Sequence, residues 1–120
     1  MTEWTRQRRI GKIRDSASVV VTKYTIPAET AREIRKAGPI YGSQGRALQV
    51  ATEVLIRMNR PPEVEPFGHV TAPGFVRVSM RLHQRTFDLI RKLAELEYND
   101  DPGQVICACV KVLKMKRLRL

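Results

Sequence analysis

The side chains best suited to chemistry stand in two alternating runs, SVVVTKYTIP at 18–27 and GFVRVSMRLH at 74–83. In the first, Val21, Lys23 and Thr25 share one face, and Val20, Thr22, Tyr24 and Ile26 the other. In the second, Arg77, Ser79 and Arg81 stand opposite Val76, Val78, Met80 and Leu82. A period of two with β-branched residues is a strand signal, so each polar set points one way. An arginine fork matches paired acceptors such as guanine O6 and N7. A Ser or Thr hydroxyl donates or accepts, and a Val or Thr methyl can rest on the thymine methyl. The same alternation also describes an ordinary solvent face. Charge weighs against that reading. The 120 residues hold 22 Lys or Arg against 12 Asp or Glu, a net +10 with a pI near 10.3. Such an excess points to polyanions, nucleic acid first and an anionic membrane surface second.

The elements that must position these faces follow from periodicity. After Pro27, suited to a first helical turn, PAETAREIRKAG places Ala31, Ile34 and Ala37 at helical spacing, with Gly38 as the stop and Gly38-Pro39 opening a turn. Ser43 is an N-cap candidate for GRALQVATEVLIRM, whose stripe is Leu48, Ala51, Leu55 and Met58. The second run leads into QRTFDLIRKLAELE, with Phe87, Ile90, Leu93 and Ala94 apolar. Asp101 and Pro102 then fit the N-cap and first turn of a last helix, apolar at Val105, Ile106, Cys109, Val110 and Leu113. Between the halves, PPEVEPFGHVTAPG carries four prolines and only the charges Glu63 and Glu65. Pro61, Pro62, Pro66 and Pro73 forbid helix, and Gly68 and Gly74 mark turns.

The expected organisation is a basic N-terminal arm at 1–17, a first half at 18–60, a linker at 61–74 and a second half at 75–120, both halves sharing one compact domain. One strand with two amphipathic helices cannot bury its own edge and apolar stripe, whereas two copies can. The expected fold class is therefore mainly α with a two-stranded antiparallel ribbon: an intramolecular pseudo-dimer of two strand-helix-helix units.

The stretches RVSMRLHQRTFDLIRKLAELE and TKYTIPAETAREIRKAG resemble the ribbon-helix-helix DNA-binding proteins of the Arc and MetJ class over about 18–60 and 75–118. Most members carry one copy and dimerise, so a tandem chain departs from the pattern; it is similar to the tandem accessory proteins of conjugative DNA transfer. The resemblance implies that each half is a ribbon-helix-helix unit, that Val21, Lys23, Thr25, Arg77, Ser79 and Arg81 read bases from the major groove, and that the start of each second helix grips phosphate. Those starts are Gly42, Ser43, Gln44 and Arg46, and Gly103 with Gln104 beside Asp100 and Asp101, whose charge disfavours the second site. In the arm, Arg6, Arg8, Arg9, Lys12 and Arg14 are candidate phosphate contacts; a solvated tail is an equal reading. Two different strands present two different sets, so an oriented, non-palindromic site is expected in place of an inverted repeat.

Other functions find less support. His69 and His83 lack a nucleophile at useful spacing, and Glu29 with Glu33 fits a helix surface. Cys107 and Cys109, two apart, would sit on different helix faces, lack metal-ligand partners and read as small core residues. No Gly-rich phosphate loop occurs, so neither enzyme activity nor a cofactor is expected. Rival readings are a ribbon-helix-helix transcriptional repressor, an antitoxin or scaffold docking a partner through 61–74 and the arm, and a membrane-surface binder through the basic C-terminal helix. Two cysteines, no membrane span and no apolar leader stretch point to a reducing bacterial cytoplasm. Double-stranded DNA is the expected partner, with DNA-transfer proteins such as relaxosome components as further candidates. A monomer in solution that associates on DNA is the expected state.

Overall fold

In the structure, a computed structural model, residues 10, 13, 18–65 and 74–118 are described. Strand β1 (Val19–Pro27) leads into α1 (Ala28–Tyr41) and α2 (Gln44–Leu55); β2 (Phe75–His83) leads into α3 (Gln84–Glu97) and α4 (Pro102–Leu118). The strands pair antiparallel, with Lys23 opposite Ser79 at the centre and Val19 opposite His83 and Pro27 opposite Phe75 at the ends. Each end of the ribbon is tied by a helix amide: Ala28 N–H donates to the Gly74 carbonyl at 2.7 Å, and Gln84 N–H to that of Ser18 at 2.9 Å. These bonds satisfy first-turn donors that a helix cannot pair internally.

Alternation sorts the ribbon into two faces. Tyr24, Ile26, Met80 and Leu82 are buried beneath it. They meet Ala31 and Ile34 of α1, Leu48, Ala51 and Leu55 of α2, and Leu89, Ile90 and Leu93 of α3 in one core. Helix α4 runs through the middle: Val105, Ile106, Ala108, Cys109 and Val112 are each at most 2% exposed. Burying such a side chain stabilises by about 1.5–3 kcal/mol.

The single sheet and the order of the elements correct the expected fold class. An intramolecular pseudo-dimer of two ribbon-helix-helix units was expected; a single two-stranded sheet with four helices is present, mainly α. The succession β1-α1-α2 then β2-α3-α4 is compatible with a two-unit arrangement, and the helices of each half pack on one another as well as across. Each strand's main helical partner comes from the other half, β2 against α2 and β1 against α4, and α2 packs on α4. A radius of gyration of 13.6 Å is that of one domain of this length, about 13.6 Å. The physical reason is that a lone strand leaves its backbone edge unpaired, so each half completes itself only on the other.

Local boundaries differ as well. Helix α1 does not stop at Gly38; it runs through Gly38 and Pro39 to Tyr41 and ends at Gly42, whose φ of +99° suits glycine. Pro39 removes one backbone N–H from the last stretch of the helix, and Gly38 is buried where a Cβ would meet the Gln44 side chain at 3.4 Å. Helix α2 ends at Leu55, so Met58 lies past it, packed against the core. Phe87 is half-buried, with the Arg91 guanidinium 6.0 Å from its ring centre, and Leu89 takes the core position.

Chain outside these elements also packs. Ile10 is 4% exposed, and Ile13 rests against the core. The Arg85 guanidinium donates to the Ile13 carbonyl and to Glu53, with Nε to Oε1 at 2.6 Å, joining α3, α2 and the segment before β1. At the start of the linker, Tyr98 donates to the Pro62 carbonyl at 2.8 Å and Lys111 to that of Glu63 at 2.6 Å. Among the described residues, no helix is long and apolar enough to cross a membrane.

Candidate nucleic-acid interface

The outer face of the ribbon gathers the side chains singled out from alternation. The register pairs Val21 with Arg81, Lys23 with Ser79, and Thr25 with Arg77. All except the half-buried Thr25 are exposed. Among the described residues, no carboxylate lies within ion-pair distance of Lys23, Arg77 or Arg81. Three cations thus lie along one surface with no carboxylate partner among the described residues.

Register adds what alternation could not. Arg77 and Arg81 share a strand but stand at opposite ends of the ribbon, with Lys23 between them. Four residues of strand span about 13 Å. That is about four steps along a nucleic-acid strand, at about 3.4 Å each. The face also extends one pair further than the six residues, to Val19 and His83, both exposed.

The second helices flank this face at its two ends. At Gly45 the first turn of α2 comes so close to β2 that a Cβ would lie 2.2 Å from the Arg81 carbonyl oxygen. Only glycine permits that approach. Sequence reasoning passed over Gly45, although a glycine inside the first turn of an amphipathic helix is itself a sign of close backbone contact. At the other end, Asp101, Pro102 and Gly103 at the start of α4 share a cleft of about 360 Å³ with Lys23, Thr25 and Arg91.

The two helix starts differ in chemistry. Before α2, Gly42 and Ser43 are exposed, as is Arg46, while Gln44 is half-buried. The Ser43 hydroxyl caps the helix by accepting from the Arg46 amide at 3.0 Å, and the first turn holds no acid. Before α4 the turn is closed. Asn99 and Asp100 adopt φ of +57° and +58°, a conformation that Asn and Asp tolerate. The Asp101 carboxylate accepts from the Gly103 amide at 2.9 Å, and its carbonyl accepts from Gln104 N–H at 3.0 Å. Gly103 and Gln104 are themselves buried, and Asn99 donates to the Gln104 side-chain oxygen at 3.0 Å. Their amides are therefore spent within the chain; at α2 the Arg46 amide is likewise taken by Ser43, but Gly42, Ser43 and Arg46 are exposed to solvent. Replacing Ser43 with alanine is expected to lower stability by about 1 kcal/mol, the usual worth of a hydroxyl cap. Urea unfolding of wild type and variant checks this.

Arg6, Arg8, Arg9, Lys12, Arg14 and His69 lie outside the described residues. Cys109 is wholly buried, and Cys107 sits 3.5 Å from the Thr30 hydroxyl. Burial pushes both thiols above their ordinary titration range, which keeps them protonated at neutral pH.

Comparison of the chain with models of known families, with curated proteins and with solved structures finds no match in any of the three.

Proposed function

We propose that the chain binds double-stranded DNA by laying the outer face of its ribbon in the major groove. A two-stranded antiparallel ribbon fits that groove, whose base edges carry a distinct donor and acceptor pattern for each pair. The observation that carries this reading is the single exposed face on which Lys23, Arg77 and Arg81 stand among Val21, Thr25 and Ser79, without carboxylate partners among the described residues. In this reading Gly42, Ser43, Gln44 and Arg46 at the α2 start hold backbone phosphate, favoured by the helix dipole, the Arg46 charge and the absence of an acid in the first turn. The wider excess of +10 supplies attraction.

A role as an accessory or enhancer-binding protein in plasmid or T-DNA transfer is the narrower part of the proposal. It rests on resemblance. The tandem pattern is similar to conjugative accessory proteins, and more narrowly to the C-terminal domain of the smaller VirC virulence protein of Agrobacterium tumour-inducing plasmids. That protein is associated with the overdrive enhancer beside the T-DNA border. Relaxosome proteins are the partners this role implies.

Salt-titrated anisotropy with a labelled duplex tests DNA binding. Each phosphate neutralised by a Lys or Arg adds about −0.9 to the slope of log K against log salt, so a negative slope is expected. A flat salt profile, or no retention of the duplex at low ionic strength, contradicts the proposal.

A further inference from the structure

We propose that one molecule reads an oriented duplex, in which the ribbon end bearing Val21 and Arg81 takes a thymine beside a guanine and the opposite end does not. This rests on the DNA-binding reading above and adds which base chemistry is read, and at which end.

Large apolar side chains on a solvent face stand out. Val21 is 66% exposed and Val19 49%, both on the outer face of β1 and neighbours on that face. Their cross-strand partners are Arg81 and His83. This end therefore presents methyl groups next to an arginine fork, the complement of a thymine methyl next to guanine O6 and N7. The other end pairs Arg77 with Thr25, which is half-buried, and then Phe75 with Pro27. Beside this fork the apolar groups of Thr25, Pro27 and Phe75 are half-buried, in contrast to the exposed Val21 and Val19.

The flanks reinforce the same polarity. The α2 start, seated on β2 at Arg81, belongs to the Val21 end and shows Ser43 and Arg46 to solvent. The α4 start, beside Thr25, belongs to the Arg77 end; there Asp101 consumes the Gly103 and Gln104 amides, and Asp100 adds negative charge. The apolar reader and the better phosphate grip thus share one end. Turning the protein by 180° in the groove would place valine where the duplex expects threonine, and acid where it expects Arg46. The two orientations are not equivalent in energy.

The test starts from a pool of random duplexes enriched on the wild-type chain. Each dT of the enriched sequence is then replaced singly by dU, which removes only the methyl group. Phosphate ethylation interference is recorded on both strands. The expected sequence is non-palindromic, with one dU-sensitive thymine near one end. Loss there is about four-fold, the worth of one methyl removed from water. The sensitivity disappears in Val21→Ser, an exposed site whose replacement leaves the fold intact, and interference is stronger at that same end. A palindromic sequence with equal dU effects at both ends overturns the inference. So does a dU effect that survives Val21→Ser, or enrichment of no sequence at all. If the enriched sequence is preferred equally by Arg77→Ala/Arg81→Ala, the ribbon does not read DNA and the underlying proposal fails instead.

Discussion

Replacing Arg77 and Arg81 together with alanine lowers affinity for the preferred duplex by roughly 30- to 1,000-fold and flattens discrimination between duplexes. Each fork on a guanine is worth about 1–3 kcal/mol of discrimination. Two forks therefore give about 2–6 kcal/mol when both engage fully, and the stated fold-change takes the lower part of that span, about 2–4 kcal/mol, at 1.4 kcal/mol for each factor of ten. Folding is expected to be unaffected: both side chains are exposed, and exposed substitutions usually change stability by less than about 0.5 kcal/mol. Arg77→Lys/Arg81→Lys separates charge from geometry. Lysine keeps the cation but loses the planar fork, so this variant retains much of the affinity and loses the preference. Equilibrium binding of both variants to a matched and a scrambled duplex, with thermal unfolding in parallel, checks the prediction. If alanine weakens all duplexes alike without altering their ranking, the arginines are phosphate contacts.

Gly45→Ala destabilises the fold by about 2 kcal/mol although alanine is the better helix former. An added Cβ would lie 2.2 Å from the Arg81 carbonyl oxygen, a backbone atom with no rotamer to yield. Overpacking of this kind costs typically 1–3 kcal/mol and more where backbone must move, against about 1 kcal/mol gained in helix propensity. For a chain of this size the melting temperature falls by about 8 °C. Gly42→Ala is the matched control: its φ of +99° brings strain of about 1 kcal/mol, but the added Cβ meets nothing within 4 Å. The ordering Gly45 worse than Gly42 is what close seating of α2 requires. An unchanged melting temperature for Gly45→Ala would mean that α2 does not anchor the ribbon at Arg81. Its effect should also reach DNA binding, because the α2 start and Arg81 move together.

Alternation made the ribbon legible. In a strand, side-chain direction is set by parity alone, so Val21, Lys23 and Thr25 separate from Tyr24 and Ile26 without knowledge of any partner. Register is a property of two strands, and a single run does not contain it. Hence the two arginines read as one basic half, whereas pairing places them at opposite ends with Lys23 between. Helix ends were misjudged for a related reason. Gly38 and Pro39 are local stop signals, and they are overridden because Gly38 packs against Gln44 while Gly42 provides the turn. The pseudo-dimer expectation already had the two halves complete one another; that each strand packs chiefly on a helix of the opposite half is what only tertiary structure can decide. Ile10 and Ile13 escaped notice because two apolar residues among many charges carry no periodicity, yet Ile10 is buried and the Ile13 carbonyl is held by Arg85.

The account stands or falls on which surface meets DNA, and a nuclear magnetic resonance titration of the labelled chain with a short duplex tests that most directly. The largest shift changes are expected at Val21, Lys23, Thr25, Arg77, Ser79 and Arg81, with a second group at Gly42, Ser43 and Arg46 and smaller changes at Gly103 and Gln104. Changes centred instead on the groove lined by Glu29, Glu33, Glu63 and Lys111, with the ribbon unmoved, would contradict it.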